Sequence, residues 1–316
     1  MPNHQPIVAL SPEVDPAWLD EFGKAAPQAQ IALAKTAAEF EALLADAEVA
    51  AGSVSRAALA KAQNLLWVHS WAAGPDTQLY EEFVAHPAML TSSAGNGAIP
   101  LAEHAMLLML MLNRNALRWL AAQRERKWDR FTHGELNGLT VGIIGAGHSG
   151  SDLALKAKAF HMRVLGLRRS DKPAPNFDRF YSRDELHTFL AQSDFVVVTA
   201  PLTPETAGML DEAALRAMKP TAHFVCFSRG GIADDEALLK ALREGWIAGA
   251  GLDAHGVEPL PAESPFWDLP NVIVTPHNGA TTAKTRERGY RIFADNLARY
   301  VADEPLVNLV DKIAGY

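Results

Sequence analysis

The stretch Thr140-Val-Gly-Ile-Ile-Gly-Ala-Gly-His-Ser-Gly150 decides the fold. A β-branched run breaks into glycines and then opens the helical pattern Ser151 to Phe160. Gly145, Gly147 and Gly150 fit G-x-G-x-x-G, with a predicted strand before and a predicted helix after. The first glycine permits the tight turn, the second lets a pyrophosphate approach the backbone, and the third lets helix and strand pack closely. Phosphates would sit on free N–H groups at the positive helix end. The glycines alone fit a structural turn equally well. The strand and helix around them favour a dinucleotide loop formed by Gly145, Ala146, Gly147, His148, Ser149 and Gly150.

Towards the C-terminus, predicted strands at Thr140–Ile144, Arg163–Leu167, Phe195–Thr199, His223–Phe227, Ile247–Leu252 and Val272–Thr275 alternate with helices beginning near Gly147, Ser182, Glu212 and Asp234. That pattern is a Rossmann-type, doubly wound sheet of six strands. Towards the N-terminus, Ile7–Leu10, Ile31–Ala34, Val49–Ala51 and Leu65–Ser70 read as buried parallel strands. Helices are expected over Ala17–Ala25, Ala37–Ala45 and Arg56–Ala62, the last with Ser55 as N-cap. This half is therefore α/β as well. The turn Ala72-Ala-Gly-Pro-Asp76 directly follows a strand, the usual place for a ligand loop in such sheets. Pro100 starts a helix expected to run through Arg118, apolar on nearly every face, as in a core or an interface. Within it His104 reads as a satisfied core histidine, and Met106, Met109 and Met111 as core. Residues 124–130 read as a solvated surface, in which Trp128 marks a contact surface. A last helix is expected over Lys284–Asp303, before the tail Pro305–Tyr316.

A chain of 316 residues with 48% hydrophobic content can bury two cores. A formal net charge of −8, without any basic block, opposes a nucleic-acid partner. The single cysteine, Cys226, lies in an apolar run and reads as a buried small hydrophobe. Scattered histidines without ligand spacing give no metal site. No secretory signal or bilayer-spanning stretch is visible, so a soluble, cytoplasmic protein without a membrane partner is expected.

The second nucleotide strand ends in Arg168-Arg169-Ser170, at the point where NAD-specific sheets usually carry an acid for the ribose 2′-OH. Two guanidiniums and a hydroxyl suit a 2′-phosphate instead, so NADP(H) is expected in preference to NAD(H). The plain alternative is a pair of surface arginines. Three further strand ends carry Ser228-Arg-Gly-Gly231, Val257-Glu-Pro-Leu-Pro261 and Thr275-Pro-His-Asn278. Arg229 can hold a planar carboxylate bidentately. His277 can exchange a proton with a carbinol oxygen near neutral pH. Glu258 can bond the other imidazole nitrogen and favour the charged ring. Singly, each also fits a turn or surface role.

Together with Ile99-Pro-Leu-Ala-Glu-His104, Ala200-Pro-Leu-Thr-Pro-Glu-Thr206, Met218-Lys-Pro220 and Gly249-Ala-Gly-Leu-Asp253, these motifs resemble the D-isomer-specific 2-hydroxyacid dehydrogenases over nearly all of residues 95–312. The resemblance implies a discontinuous substrate domain of flavodoxin-like α/β type, residues 1–97 and 282–316, and an NAD(P)-binding Rossmann domain at 98–281. It implies a homodimer with the long helix at its interface. It assigns substrate binding and proton transfer to Arg229, Glu258 and His277, with the backbone of Ala73 and Gly74 helping to hold the substrate carboxylate and Trp71 beside them, narrowing the substrate pocket. It places Pro201, Thr206, Ser228, Asp253 and Asn278 at the cofactor. Cys226-Phe-Ser-Arg229, His255-Gly256, Ser149 and Trp71 depart from the commoner family pattern and bear on substrate choice. A cationic cofactor strand and a small pocket look most like the glyoxylate and hydroxypyruvate reductases, some of which insert a partner-subunit tryptophan that Trp128 resembles. Two other readings stand: a dehydrogenase for a bulkier 2-oxo acid, and a nucleotide-sensing protein like the C-terminal-binding corepressors. The lack of recruitment tails weighs against the second, and the lack of a further domain weighs against a phosphoglycerate dehydrogenase with a regulatory module.

Overall fold

Short apolar runs separated by alanine-rich helical segments fold into parallel sheets covered on both faces. A computed structural model describes residues 5–169 and 172–315, and within it the chain divides into two units. One joins the residues up to Asn96 with those from Thr282 onward, and the other is Gly97–Thr281.

The first unit holds five parallel strands: β1 (Ile7–Leu10), β2 (Gln30–Leu33), β3 (Val49–Ala51), β4 (Trp67–Ser70) and β5 (Met89–Ser92). Their order β2-β1-β3-β4-β5 is the flavodoxin-like one. Side chains alternate between the two faces with a period of two. Val8, Leu10, Val49, Ala51 and Trp67 pack on one side with Phe22, Tyr290, Phe293 and Leu297. Ala9, Ala50, Val68 and Leu90 pack on the other with Phe40, Leu44, Leu59 and Phe83. The first face is completed by the helix Ala283–Val301, whose N-cap Thr282 Oγ1 accepts from Thr285 N at 3.1 Å. Beneath it His69 is fully buried, its ring nitrogens 2.8 Å from Thr91 Oγ1 and 3.1 Å from Ser93 Oγ. Burial pushes that imidazole down to about 3. β5 is a strand that sequence patterning did not separate from its surroundings.

The second unit holds β6 (Thr140–Ile144), β7 (Arg163–Leu167), β8 (Arg179–Tyr181), β9 (Phe195–Val198), β10 (His223–Cys226), β11 (Gly249–Leu252) and β12 (Val272–Val274). All pair in parallel in the order β12-β11-β10-β9-β6-β7-β8. This is the Rossmann order with one strand appended, and it corrects the expected six strands to seven. The unpredicted member is β8, a three-residue edge strand paired with Leu165–Leu167. The order switches direction between β6 and β9, so the crevice that such sheets use for ligands opens beside the glycine loop.

The expected single helix from Pro100 is also corrected. It runs Ala98–Asn113, breaks at Asn115 and resumes over Ala116–Arg124. Asn115 adopts a left-handed φ of 49°, a conformation that asparagine tolerates better than most residues. Ala102, Ala105, Leu108 and Met109 are buried, and Leu108 fills the space that Gly251 leaves open. Ile99 and Leu107 stay exposed. No helix among the described residues is long and apolar enough to cross a membrane.

Candidate active site

The glycine loop joins β6 to the helix His148–Ala159. Gly145 has a φ of 100°, and a Cβ on it would lie 2.9 Å from Ala200 N. A Cβ on Gly150 would lie 2.2 Å from Gly145 O. The fold itself therefore demands both. Thr199 Oγ1 fixes the turn by donating to Gly145 O at 2.7 Å. At Gly147, by contrast, nothing lies within 4 Å of an added Cβ. Gly147 caps the helix His148–Ala159, whose first-turn amides have no intrahelical acceptor and suit an anion.

At the end of β7, the Arg168 guanidinium lies 3.8 Å over the Phe180 ring. Its Nε and Nη2 are buried and have no hydrogen-bond partner among the described residues. Buried guanidinium donors left without acceptors call for an anionic ligand. Arg169 follows directly, and Ser170 lies outside the described residues. Beyond β9, Thr206 Oγ1 donates to Pro201 O at 2.7 Å and holds that loop closed. The residues present thus fit a phosphorylated dinucleotide.

The three chemical side chains stand at the ends of neighbouring strands. After β10, Arg229 Nη1 donates to Ser228 O at 2.7 Å. After β11 the chain reaches Glu258, and after β12 His277. His277 Nδ1 lies 2.9 and 2.8 Å from Glu258 Oε1 and Oε2. A carboxylate accepts only, so Nδ1 carries the hydrogen and Nε2 is left to face a reactant. Glu258 Oε1 also accepts from His255 N at 2.9 Å. Burial, the largest influence on this carboxyl, pushes it up, but the His255 amide and the His277 ring outweigh burial and hold it below the usual range.

The His277 loop is braced from below. Asp253 is fully buried; its Oδ1 accepts from Thr275 Oγ1 at 2.7 Å and from Asn278 N at 3.1 Å, and its Oδ2 from Gly279 N at 2.9 Å. Asp253, expected at the cofactor, is thus spent on holding the loop. With its hydroxyl hydrogen given to Asp253, Thr275 Oγ1 accepts from His104 Nε2 at 3.1 Å. His104 is therefore satisfied, as expected, but in the layer supporting the site. Asn278 keeps an exposed side chain. Cys226 is buried, and burial above all pushes its thiol up to about 11, which removes it as a nucleophile. Trp71, Ala73 and Gly74 lie after β4 in the first unit, where Trp71 packs edge-on against His69 and Tyr290 and donates to Ser11 Oγ at 3.1 Å. The bracing residues Thr199, Thr275 and His255 were not singled out as site residues from the sequence.

Comparison with known proteins gives the family. Residues 106–279 match the family model of the D-isomer specific 2-hydroxyacid dehydrogenase NAD binding domain. The chain is 37% identical over 260 residues to a glyoxylate reductase of Pyrococcus furiosus, covering 79% of this chain and 77% of that one. Its fold is similar to a D-isomer specific 2-hydroxyacid dehydrogenase of Xanthobacter autotrophicus solved with NADPH and MES (TM-score 0.87, 30% identity, 99% of this chain and 100% of that one). It is similar also to an NADPH-dependent glyoxylate/hydroxypyruvate reductase of Sinorhizobium meliloti solved with NADP and sulfate (TM-score 0.85, 30% identity, the same coverage). The chain belongs to the D-isomer-specific 2-hydroxyacid dehydrogenases. It is an oxidoreductase acting on the CH–OH group of small 2-hydroxy acids, or on the corresponding 2-oxo acids in reverse.

Proposed function

We propose that this enzyme is an NADPH-dependent reductase of small 2-oxo acids such as glyoxylate or hydroxypyruvate, acting as a cytoplasmic homodimer. The observation that carries the cofactor half is Arg168 at the end of β7, with two buried donors and no acceptor among the described residues. The neighbours solved with NADP or NADPH support it. The substrate half is supported by the glyoxylate reductases at 35–37% identity. Leu107, Trp119, Leu120 and Trp128 are exposed apolar residues on one stretch of the second unit, and they support a partner copy there.

When bound, NADPH supplies the hydride. The protein's own work is positional and protonic. Arg229 holds the substrate carboxylate. Charged His277 presents its Nε2–H to the carbonyl oxygen and neutralises the growing alkoxide. Glu258, ionised and bonded to Nδ1, favours the charged ring before transfer and keeps it aligned afterwards. The first-turn amides at Gly147–Gly150, with Arg168 and Arg169, anchor the cofactor phosphates.

The test is initial-rate loss of reduced cofactor with glyoxylate, hydroxypyruvate, pyruvate and phenylpyruvate, each with NADPH and with NADH. The expected result is turnover of glyoxylate or hydroxypyruvate, with kcat/KM at least about tenfold higher for NADPH, the equivalent of about 1.4 kcal/mol. Equal or better kcat/KM with NADH would overturn the cofactor assignment. Preference for phenylpyruvate would overturn the substrate assignment. Tight NADPH binding without turnover of any of the four would favour a sensing protein.

A further inference from the structure

His255 follows β11 and is only 9% exposed. It touches the segments of all three chemical residues. Its backbone N–H donates to Glu258 Oε1 at 2.9 Å. Its Nε2 lies 2.9 Å from the carbonyl oxygen of Thr275, two residues before His277. Its own backbone presses on Gly230, beside Arg229, where an added Cβ would come within 2.0 Å of His255 C and O. A carbonyl oxygen only accepts, so the hydrogen of the His255 ring is on Nε2. An aromatic hydrocarbon could fill the same volume but could not make this bond.

His277 has a φ of 48°, uncommon for a residue with a side chain. A backbone held there persists only when its flanks are fixed. Asp253 fixes the far flank through the amides of Asn278 and Gly279. On the near flank Asp253 and His104 hold the Thr275 hydroxyl, and His255 holds the Thr275 carbonyl. One side chain and its own amide thus set the position of His277 and the aim of Glu258 together.

We propose that His255 is a positioning residue for proton transfer, locking the Glu258–His277 pair into register through its ring Nε2–H and its amide. The inference rests on the reading of that pair as the proton-transfer machinery. His255 does not itself meet the reacting atoms. The titratable and charged groups around it are Glu258 in its own loop, Arg229 after β10 and Asp235 on the helix Asp235–Glu244, the latter two lining the same small cavity. Asp235 is held up, chiefly by burial.

The test compares H255F, which keeps an aromatic ring but no donor, with H255Q, whose amide can again donate to Thr275 O. Each is assayed with NADPH and the 2-oxo acid that the wild type reduces best, across the pH range. Loosening the pair destabilises charged His277, so the loss of reductive kcat/KM at high pH should set in earlier. For H255F we expect kcat about tenfold lower, KM and NADPH affinity within about twofold, and the basic limb moved down by about 0.5–1 pH unit, sizes in keeping with a misaligned proton donor. H255Q should recover most of both. Wild-type kcat and pH profile in H255F would overturn the proposal. So would a loss shared equally by both variants with the limb unmoved, which is what a merely structural role gives. Should H255F fail to fold, 15N spectra of the wild-type histidines decide: a His255 Nε2–H tautomer retained from pH 6 to 9 supports the lock, and an Nδ1–H tautomer sinks it. A wild-type enzyme that reduced no 2-oxo acid would bring down the proposed function as well, whereas an active one indifferent to His255 brings down this inference alone.

Discussion

Histidines do contrasting work in this chain, and what surrounds each ring decides which. His277 is partly exposed, with its Nδ1 2.8 Å from the Glu258 carboxylate. His69 is sealed under the Ala283–Val301 helix with only hydroxyl partners, and burial keeps it neutral down to about pH 3. The unfolded chain takes up a proton at that ring below about 6.5, and the folded chain does not. The folded-state value is depressed, so the stability is fully present above about pH 6.5 and is lost as pH falls towards 3. At pH 5 the loss is about 2 kcal/mol. Thermal or urea unfolding of wild type and H69Q at pH 7 and pH 5 should show a fall smaller by about that amount in the variant. Equal falls would show that His69 already titrates in the folded state. The position of His277 was legible because Pro276 pins it after an apolar strand. The part played by His255 was not, because its partner carbonyl lies twenty residues further on and nothing local signals that pairing.

At the scale of elements, buried apolar runs announced themselves and a polar-flanked edge strand did not. β6, β7, β9 and β10 are four- and five-residue apolar runs buried along nearly their whole length. β8 is Arg-Phe-Tyr at a sheet edge, and its pairing to β7 comes from tertiary packing and not from any pattern in those residues. The break at Asn115 was hidden because Ala116 and Leu117 continue an apolar pattern after it. The glycine loop was read correctly as a class, but only coordinates separate its glycines by what each contacts. That separation gives a prediction. G150A forces a backbone oxygen contact and should lower stability by a few kcal/mol, within the range of core overpacking. G147A meets no protein atom and should leave the melting temperature within about 2 °C, while weakening NADPH binding tenfold or more. Calorimetric melting and fluorescence titration read the two effects separately. Unchanged NADPH affinity in G147A would remove the phosphate site from that turn.

At the scale of the molecule, the second unit leaves several large apolar side chains uncovered. Leu107 is 51% exposed and Trp128 91% exposed, with Ile99, Trp119, Leu120 and Leu155 also uncovered. Light scattering should give about twice the 34.2 kDa chain mass. If the proposed dimer forms through this face, L107E should shift the population to monomer by placing a charge there, without changing the circular dichroism spectrum. A wild-type monomer at micromolar concentration would contradict the dimer. Composition had indicated enough apolar residues for two cores. It could not say that some of them lie outside both.

The return of the chain to its first unit has a consequence for how the protein is made. Trp67, Phe22 and Val49 wait on the sheet face that Tyr290, Phe293 and Leu297 will cover. All of the second unit must leave the ribosome before those three residues exist. At about 5–20 residues per second, the interval is on the order of ten to forty seconds. Throughout it the nascent chain carries a nearly finished sheet with one greasy side bare, and the second unit, continuous in sequence, can fold first. Folding is therefore completed in the opposite order to synthesis, with the first-born strands the last to be sealed, and that bare face is where a chaperone would be needed.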